Sequence, residues 1–161
     1  MKDSVIGPLS SRQNVTVDAA GITQAFSYRA VADTSRVDFV YPFMTMFANA
    51  TAEWVAGTAV SQPPEWSGRF RHDGSMTLQR DILFAILFDP TRGVGSLYRY
   101  PSVYPTKAHK GRNFFWNREY DNKLYLQVDV PSSGSFAYAM HLQAFQASEE
   151  DYVSKGRALL A

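Results

Sequence analysis

The chain has no cysteine, which removes disulfide staples, thiolate metal sites and cysteine nucleophiles in one step. Long hydrophobic runs are missing too. The longest uninterrupted one, Ile82 to Phe88, is seven residues, against roughly 20 for a helix that crosses a bilayer. Met1 to Ser10 contains no apolar core of the kind a secretory signal carries, so cytoplasmic is the fallback location where no other setting is implied. Neither sign of charge dominates: 16 Lys and Arg stand against 15 Asp and Glu, a net charge of +1. A surface drawn as a whole to nucleic acid or anionic lipid is therefore not expected. There is no internal repeat and no low-complexity segment.

Signatures of chemistry are equally scarce. The three histidines, His72, His109 and His141, share no metal-ligand spacing. No Gly-x-Ser-x-Gly elbow and no phosphate-cradling glycine loop is present, and Gly93-Val-Gly95 is too short to serve as one. Glu53, Glu65, Asp73 and Asp81 are scattered, so no acid–base pair can be assembled from spacing. His72-Asp73 reads as part of a solvated turn. Asn14-Val-Thr and Asn49-Ala-Thr match the glycosylation sequon, but without a signal peptide they are read as unused. These absences predict a protein that is not an enzyme and holds no metal or cofactor.

What is abundant is apolar and aromatic residues, at 45% and 14% of 161. That suffices for a single domain with one sizeable core. The alternation pattern is β throughout. Residues 122–146 carry the clearest signal: Leu124, Leu126, Val128 and Val130 alternate with polar residues. After Pro131-Ser-Ser-Gly134, Phe136, Tyr138, Met140 and Leu142 alternate with Ala137, Ala139, His141 and Gln143. This predicts an antiparallel hairpin with one buried face. Its other face is small and polar, with room for something to pack, and His141 falls on that side.

Further strands are predicted at 14–18, 22–32, 36–47, 52–60, 69–71 and 76–88. Pro42 inside 36–47 requires a bulge or an edge, although apolar residues on both parities suggest a central strand. The run Ile82 to Phe88 fits a strand better than a helix. Gln62 to Gly68 reads as a loop from its paired prolines, and 93–123 as the least regular stretch. Ser148 is placed as the N-cap of a short closing helix with Tyr152, Val153, Leu159 and Leu160 as its contacts, weakened by Gly156. The expected fold is an all-β antiparallel sandwich, jelly-roll-like, with a short C-terminal helix. Its expected organisation is an N-terminal arm at 1–21, the sandwich at 22–147 and the helix or tail at 148–161.

One surface feature is concentrated. Between Tyr98 and Lys123, six basic residues interleave with seven aromatic ones, against only Glu119 and Asp121. Tyr98, Arg99, Tyr100, Tyr104, Lys110, Arg112, Phe115, Trp116 and Arg118 are the candidate contact residues. Rings and cations together suit nucleic acid, glycan or lipid headgroups. The same residue types are enriched in protein–protein interfaces, which makes self-association the leading expectation.

The apolar strand Asp81 to Phe88, the loop Ser102 to Trp116 and a final hairpin, Leu124 to Phe145, that closes the sheet together resemble the single jelly-roll structural proteins of small icosahedral viruses, such as the microvirus major spike protein. That resemblance covers about residues 76–146. It implies a non-enzymatic virion component that assembles with itself and with other proteins of the same particle. The chain lacks the Arg- and Lys-rich arm of many RNA-virus coat proteins, which favours a shell, spike, decoration or tail role over genome packaging. The alternative is a β-sandwich binding module for glycans or membrane headgroups, lectin- or actinoporin-like, centred on Tyr98, Tyr100, Tyr104, Trp116 and Arg112.

Overall fold

Alternating apolar and polar residues produce extended backbone over most of the chain. The computed structural model describes residues 1–37, 39–48, 53–60, 62–71, 73–80, 82–100, 111–117, 121–129 and 134–161. In chain order its elements are β1 (Lys2–Ile6), β2 (Leu9–Asp18), β3 (Gly21–Ala30), β4 (Phe39–Ala48), β5 (Glu53–Gly57) and β6 (Trp66–Arg69). They continue with β7 (Met76–Arg80), β8 (Phe84–Asp89), β9 (Val94–Arg99), β10 (Gly111–Asn117), β11 (Asp121–Asp129), β12 (Ser135–Gln146) and α1 (Tyr152–Ala158).

Eight strands form sheet A in the order β1-β2-β3-β12-β9-β8-β5-β6, and four form sheet B in the order β4-β11-β10-β7. Every pairing is antiparallel. The sheets share one core. Phe43, Leu78 and Leu124 of sheet B pack with Tyr28, Trp54, Leu87, Tyr98, Tyr138 and Met140 of sheet A. The Phe26 and Phe43 rings meet edge to face across the layer, with centroids 5.2 Å apart. The fold is therefore an all-β sandwich. It is jelly-roll-like in its two outer nested pairs, β3 with β12 in one sheet and β4 with β11 in the other.

A second core lies on the opposite face of sheet A. Val55, Phe84, Ile86, Phe88 and Leu97 pack beneath Tyr152 and Leu160, with Val153 and Leu159 partly buried around them. Helix α1 thus covers the β5–β8–β9 half of that outer face. The expected helix contacts hold. Gly156, expected to weaken the helix, instead lets it dock: a Cβ there would lie 2.7 Å from Cγ2 of Ile86. The helix begins later than Ser148. The N-cap position is Asp151, whose carboxylate accepts the Ser148 N–H at 2.7 Å.

Several expectations change. The segment 1–21 holds two strands, β1 and β2, at one edge of sheet A, where one short strand at 14–18 was expected. Strand β6 begins at Trp66, inside the expected loop. The run 76–88 is β-structure, but it supplies β7 to sheet B and β8 to sheet A. The stretch read as irregular contains β9 and β10. Strand β4 is an edge strand and not a central one, as Pro42 demands. Its register against β11 also shifts between Leu126 and Val128, so the proline coincides with both an edge and a bulge.

The largest correction concerns residues 122–146. They do form two strands, but β11 pairs with β4 and β10 while β12 pairs with β3 and β9. The two belong to opposite sheets. Alternation records that each strand has one buried face and says nothing of which backbone lies beside it. Here the buried faces, Leu124 on one side and Tyr138 and Met140 on the other, meet across the sandwich.

Candidate functional site

The described candidate residues are divided between the two sheets. Strand β9 sits between β8 and β12, and Tyr98 is paired with Ala85 and Leu142 on its inner face, 2% exposed. Tyr100 follows the strand end. Its N–H donates to the Leu83 carbonyl at 2.8 Å, and burial, with Tyr98 beside it, pushes its phenol far above the ordinary range. Both rings are core, and neither presents a stacking face to a ligand. Arg99 alone of the three is exposed, on the rung shared by Phe84 and His141.

Arg112, Phe115 and Trp116 lie on β10, in the opposite sheet. The register sets Phe115 opposite Leu124 and Leu78, both buried, while Arg112 pairs with Gln127 and Trp116 with Lys123. Tyr104, Lys110 and Arg118 lie outside the described residues, as do His72, His109, Asn49 and Asp81. The basic aromatic segment is split because its two strands, β9 and β10, belong to different sheets.

The scattered carboxylates are engaged locally. Glu53 pairs with Arg69 across β5 and β6. Glu65 accepts from the Thr58 hydroxyl and N–H, and Asp73 from Ser75 in the same way; both carboxyls are held below the ordinary range as a result. No group of three or more His, Asp or Glu side chains converges on a metal-sized site among the described residues.

A different feature emerges on sheet A. Helix α1 packs near Phe145 of β12 but leaves the outer face of β1, β2, β3 and the Ser135–His141 part of β12 open. There the register aligns Asn14, Ala25 and Ala139 on one rung, and Arg12, Ser27 and Ala137 on the next. The following rung holds Ser10, Arg29 and Ser135. Small side chains in the middle and longer ones at the rim leave two depressions that share Arg12 and Ser27. One, of about 420 Å³, is bounded by Asp3, Ser10, Arg12, Arg29 and Ser135. The other, of about 250 Å³, lies over Ala25, Ala137 and Ala139 beside Arg12 and Asn14. Asp3 and Arg12 pair at 2.8 Å, and the guanidinium holds the Asp3 carboxyl below its usual range.

His141 closes one end of this face. Its Nε2 lies 3.1 Å from the Ala20 carbonyl and its Nδ1 3.0 Å from the Thr23 hydroxyl. A carbonyl can only accept, so in the neutral ring Nε2 carries the hydrogen and Nδ1 accepts from Thr23. The imidazole thereby ties the β2–β3 turn to β12. Gly21 in that turn has φ +134°, and a Cβ there would collide with the Leu142 carbonyl. The small polar parity of β12 hinted at this face. Its floor also needs Ala25 and Ser27 from β3, and nothing in sequence order brings those strands together.

No known family model and no curated protein matches the chain. No helix among the described residues is long and apolar enough to cross a membrane.

Proposed function

We propose that the protein is a non-enzymatic assembly component that works through protein–protein contacts at the free edge of β4. The supporting observation is the inequality of the four sheet edges. Strands β1, β6 and β7 are 5, 4 and 5 residues long. Short edges are one of the ways natural sheets avoid further pairing. Strand β4 is 10 residues, Phe39 to Ala48, and contains no charged residue. Beyond its bulge at Pro42, six residues from Phe43 to Ala48 offer a row of N–H and C=O groups that is unpaired among the described residues. Strand addition of this kind gives affinity through the main chain. The resemblance to virus shell and spike proteins supplies the setting, a particle built from repeated copies.

Size-exclusion chromatography with light scattering tests the reading. Assemblies at multiples of the 18.1 kDa chain are expected. A Met46→Lys variant, placing in the edge the charge that natural edges use to block pairing, is expected to run as a folded monomer. A wild-type protein that stays monomeric at all concentrations would overturn the proposal, as would an assembly indifferent to Met46→Lys.

A further inference from the structure

We propose that the open half of the outer face of sheet A is a binding groove for an acidic saccharide, seated over Ala25, Ala137 and Ala139 with its anionic group at Arg29. The two depressions share Arg12 and Ser27 and so form one continuous trough across β2, β3 and β12. The site is independent of the β4 edge, which belongs to the other sheet.

Three features select the ligand class. First, the trough is centred on β3, whose backbone N–H and C=O groups are consumed by its ladders with β2 on one side and β12 on the other. An extended peptide gains nothing there from strand addition, which operates at edges. A ligand must meet side chains, and must carry its own donors and acceptors. Second, the side chains around the rim are of mixed polarity. Asp3 only accepts, Arg12 and Arg29 only donate, and Ser10, Ser135 and Asn14 do both. Neighbouring hydroxyls on a sugar ring are matched to that mixture. The floor beneath is flat because Ala25 pairs with Ala139, and Ser27 with Ala137, leaving an apolar surface for the C–H face of a ring.

Third, the charges do not cancel. Asp3 neutralises Arg12 at 2.8 Å, while Arg29 has no carboxylate partner among the described residues and its side chain is exposed at the polar end. One net positive charge beside a row of hydroxyls favours a carboxylate or sulfate on the sugar, where a charge-assisted hydrogen bond to Arg is about twice as strong as a neutral one. The aromatic residues along the trough, Phe26, Tyr28 and Tyr138, have their rings in or against the core, so the affinity comes from these polar contacts and is weak.

The test is an amide-resonance titration of the full chain with three probes: a glucuronic-acid disaccharide, a sulfated disaccharide and a neutral disaccharide. Binding of either acidic probe should shift the amides of Ala25, Ser27, Ala137 and Ala139, and the stronger of the two identifies carboxylate or sulfate as the preferred group. Arg29→Gln should weaken that binding about tenfold or more and bring it to the neutral level. Ala137→Leu, which fills the floor without touching the core, should abolish it. Equal binding of the neutral probe, unaffected by Arg29→Gln, would overturn the acidic class. Absence of shifts at those four amides with every probe would overturn the groove itself. Light scattering on the same samples reads the assembly state separately.

Discussion

The docking of α1 on sheet A can be tested through Gly156, because two general effects predict opposite signs there. In an exposed helix, replacing Gly by Ala raises stability by about 1 kcal/mol. Here the added Cβ would lie 2.7, 2.8 and 3.0 Å from Cγ2, Cδ1 and Cγ1 of Ile86. Ile86 is 0% exposed and paired with Val55 and Leu97 on either side, so it cannot retreat without disturbing its rung. Overpacking of this sort costs about 1–3 kcal/mol. The net expectation for Gly156→Ala is a loss of about 1 kcal/mol, which lowers Tm by about 2–4 °C in a domain of this size.

Urea unfolding followed by tryptophan fluorescence measures the change, and a double-mutant cycle assigns its cause. Ile86→Ala alone should cost about 2–5 kcal/mol. In the double variant the methyl added at position 156 enters the vacated space, so the combined loss should be smaller than the sum of the single losses, with a coupling of about 0.5–3 kcal/mol. A Gly156→Ala protein about 1 kcal/mol more stable than wild type would refute the close approach. Additive losses in the cycle would refute the assignment to Ile86.

Other consequences follow from the core and from the titrating groups. Phe43→Ala should destabilise by about 3–5 kcal/mol because Phe43 is 3% exposed and bridges the two sheets. A cycle with Phe26→Ala should show about 1 kcal/mol of coupling beyond burial, and no coupling would mean the sheets do not meet there. For pH, the carboxyls of Asp33, Glu65 and Asp73 are held low by hydroxyl and N–H donors, and that of Asp151 by Lys155 and then Ser148. Groups shifted in this direction add stability above their unfolded values, about 3.9–4.3, and lose it as pH falls through the lower folded ones. Burial pushes the Tyr28 phenol up to about 12. Its contribution is complete below the unfolded value of about 10 and is lost as pH rises through the folded one. A Tm that is level near neutrality and falls at both extremes is expected, whereas a Tm that rises on acidification below about pH 4 would contradict the carboxylate assignments.

Much of the fold is legible in particular residues. Pro42 cannot donate to a ladder, so its presence in an apolar strand demands an edge or bulge, and β4 has both. Tyr152, Val153, Leu159 and Leu160 sit at a helical spacing and pack where that spacing puts them. The candidate site was far less legible. Tyr98 and Tyr100 looked like part of an exposed basic aromatic loop, because residues adjacent in sequence carry charge. Strand β9 instead turns that parity into the core, leaving only Arg99 outside. Asp18 to Gly21 marks its turn plainly, and Pro131 to Gly134 reads as a turn in the sequence, yet such a signal does not reveal whether the chain folds back into the same sheet or crosses to the other.

By itself, the amino-acid order determined that most of the chain would be extended, that Tyr138 and Met140 share a buried face, and where several turns fall. Those follow from the two-residue period of a strand and the local geometry of proline and glycine. Which strands lie side by side was decided only by the tertiary structure. Partner choice depends on how the apolar faces of β11 and β12 close over a common core, and a period-two pattern is the same for either pairing. The trough over Ala25 and Ala137 is a product of that choice. It exists because β3 and β12, more than 100 residues apart in the chain, align their smallest side chains on the part of sheet A away from α1.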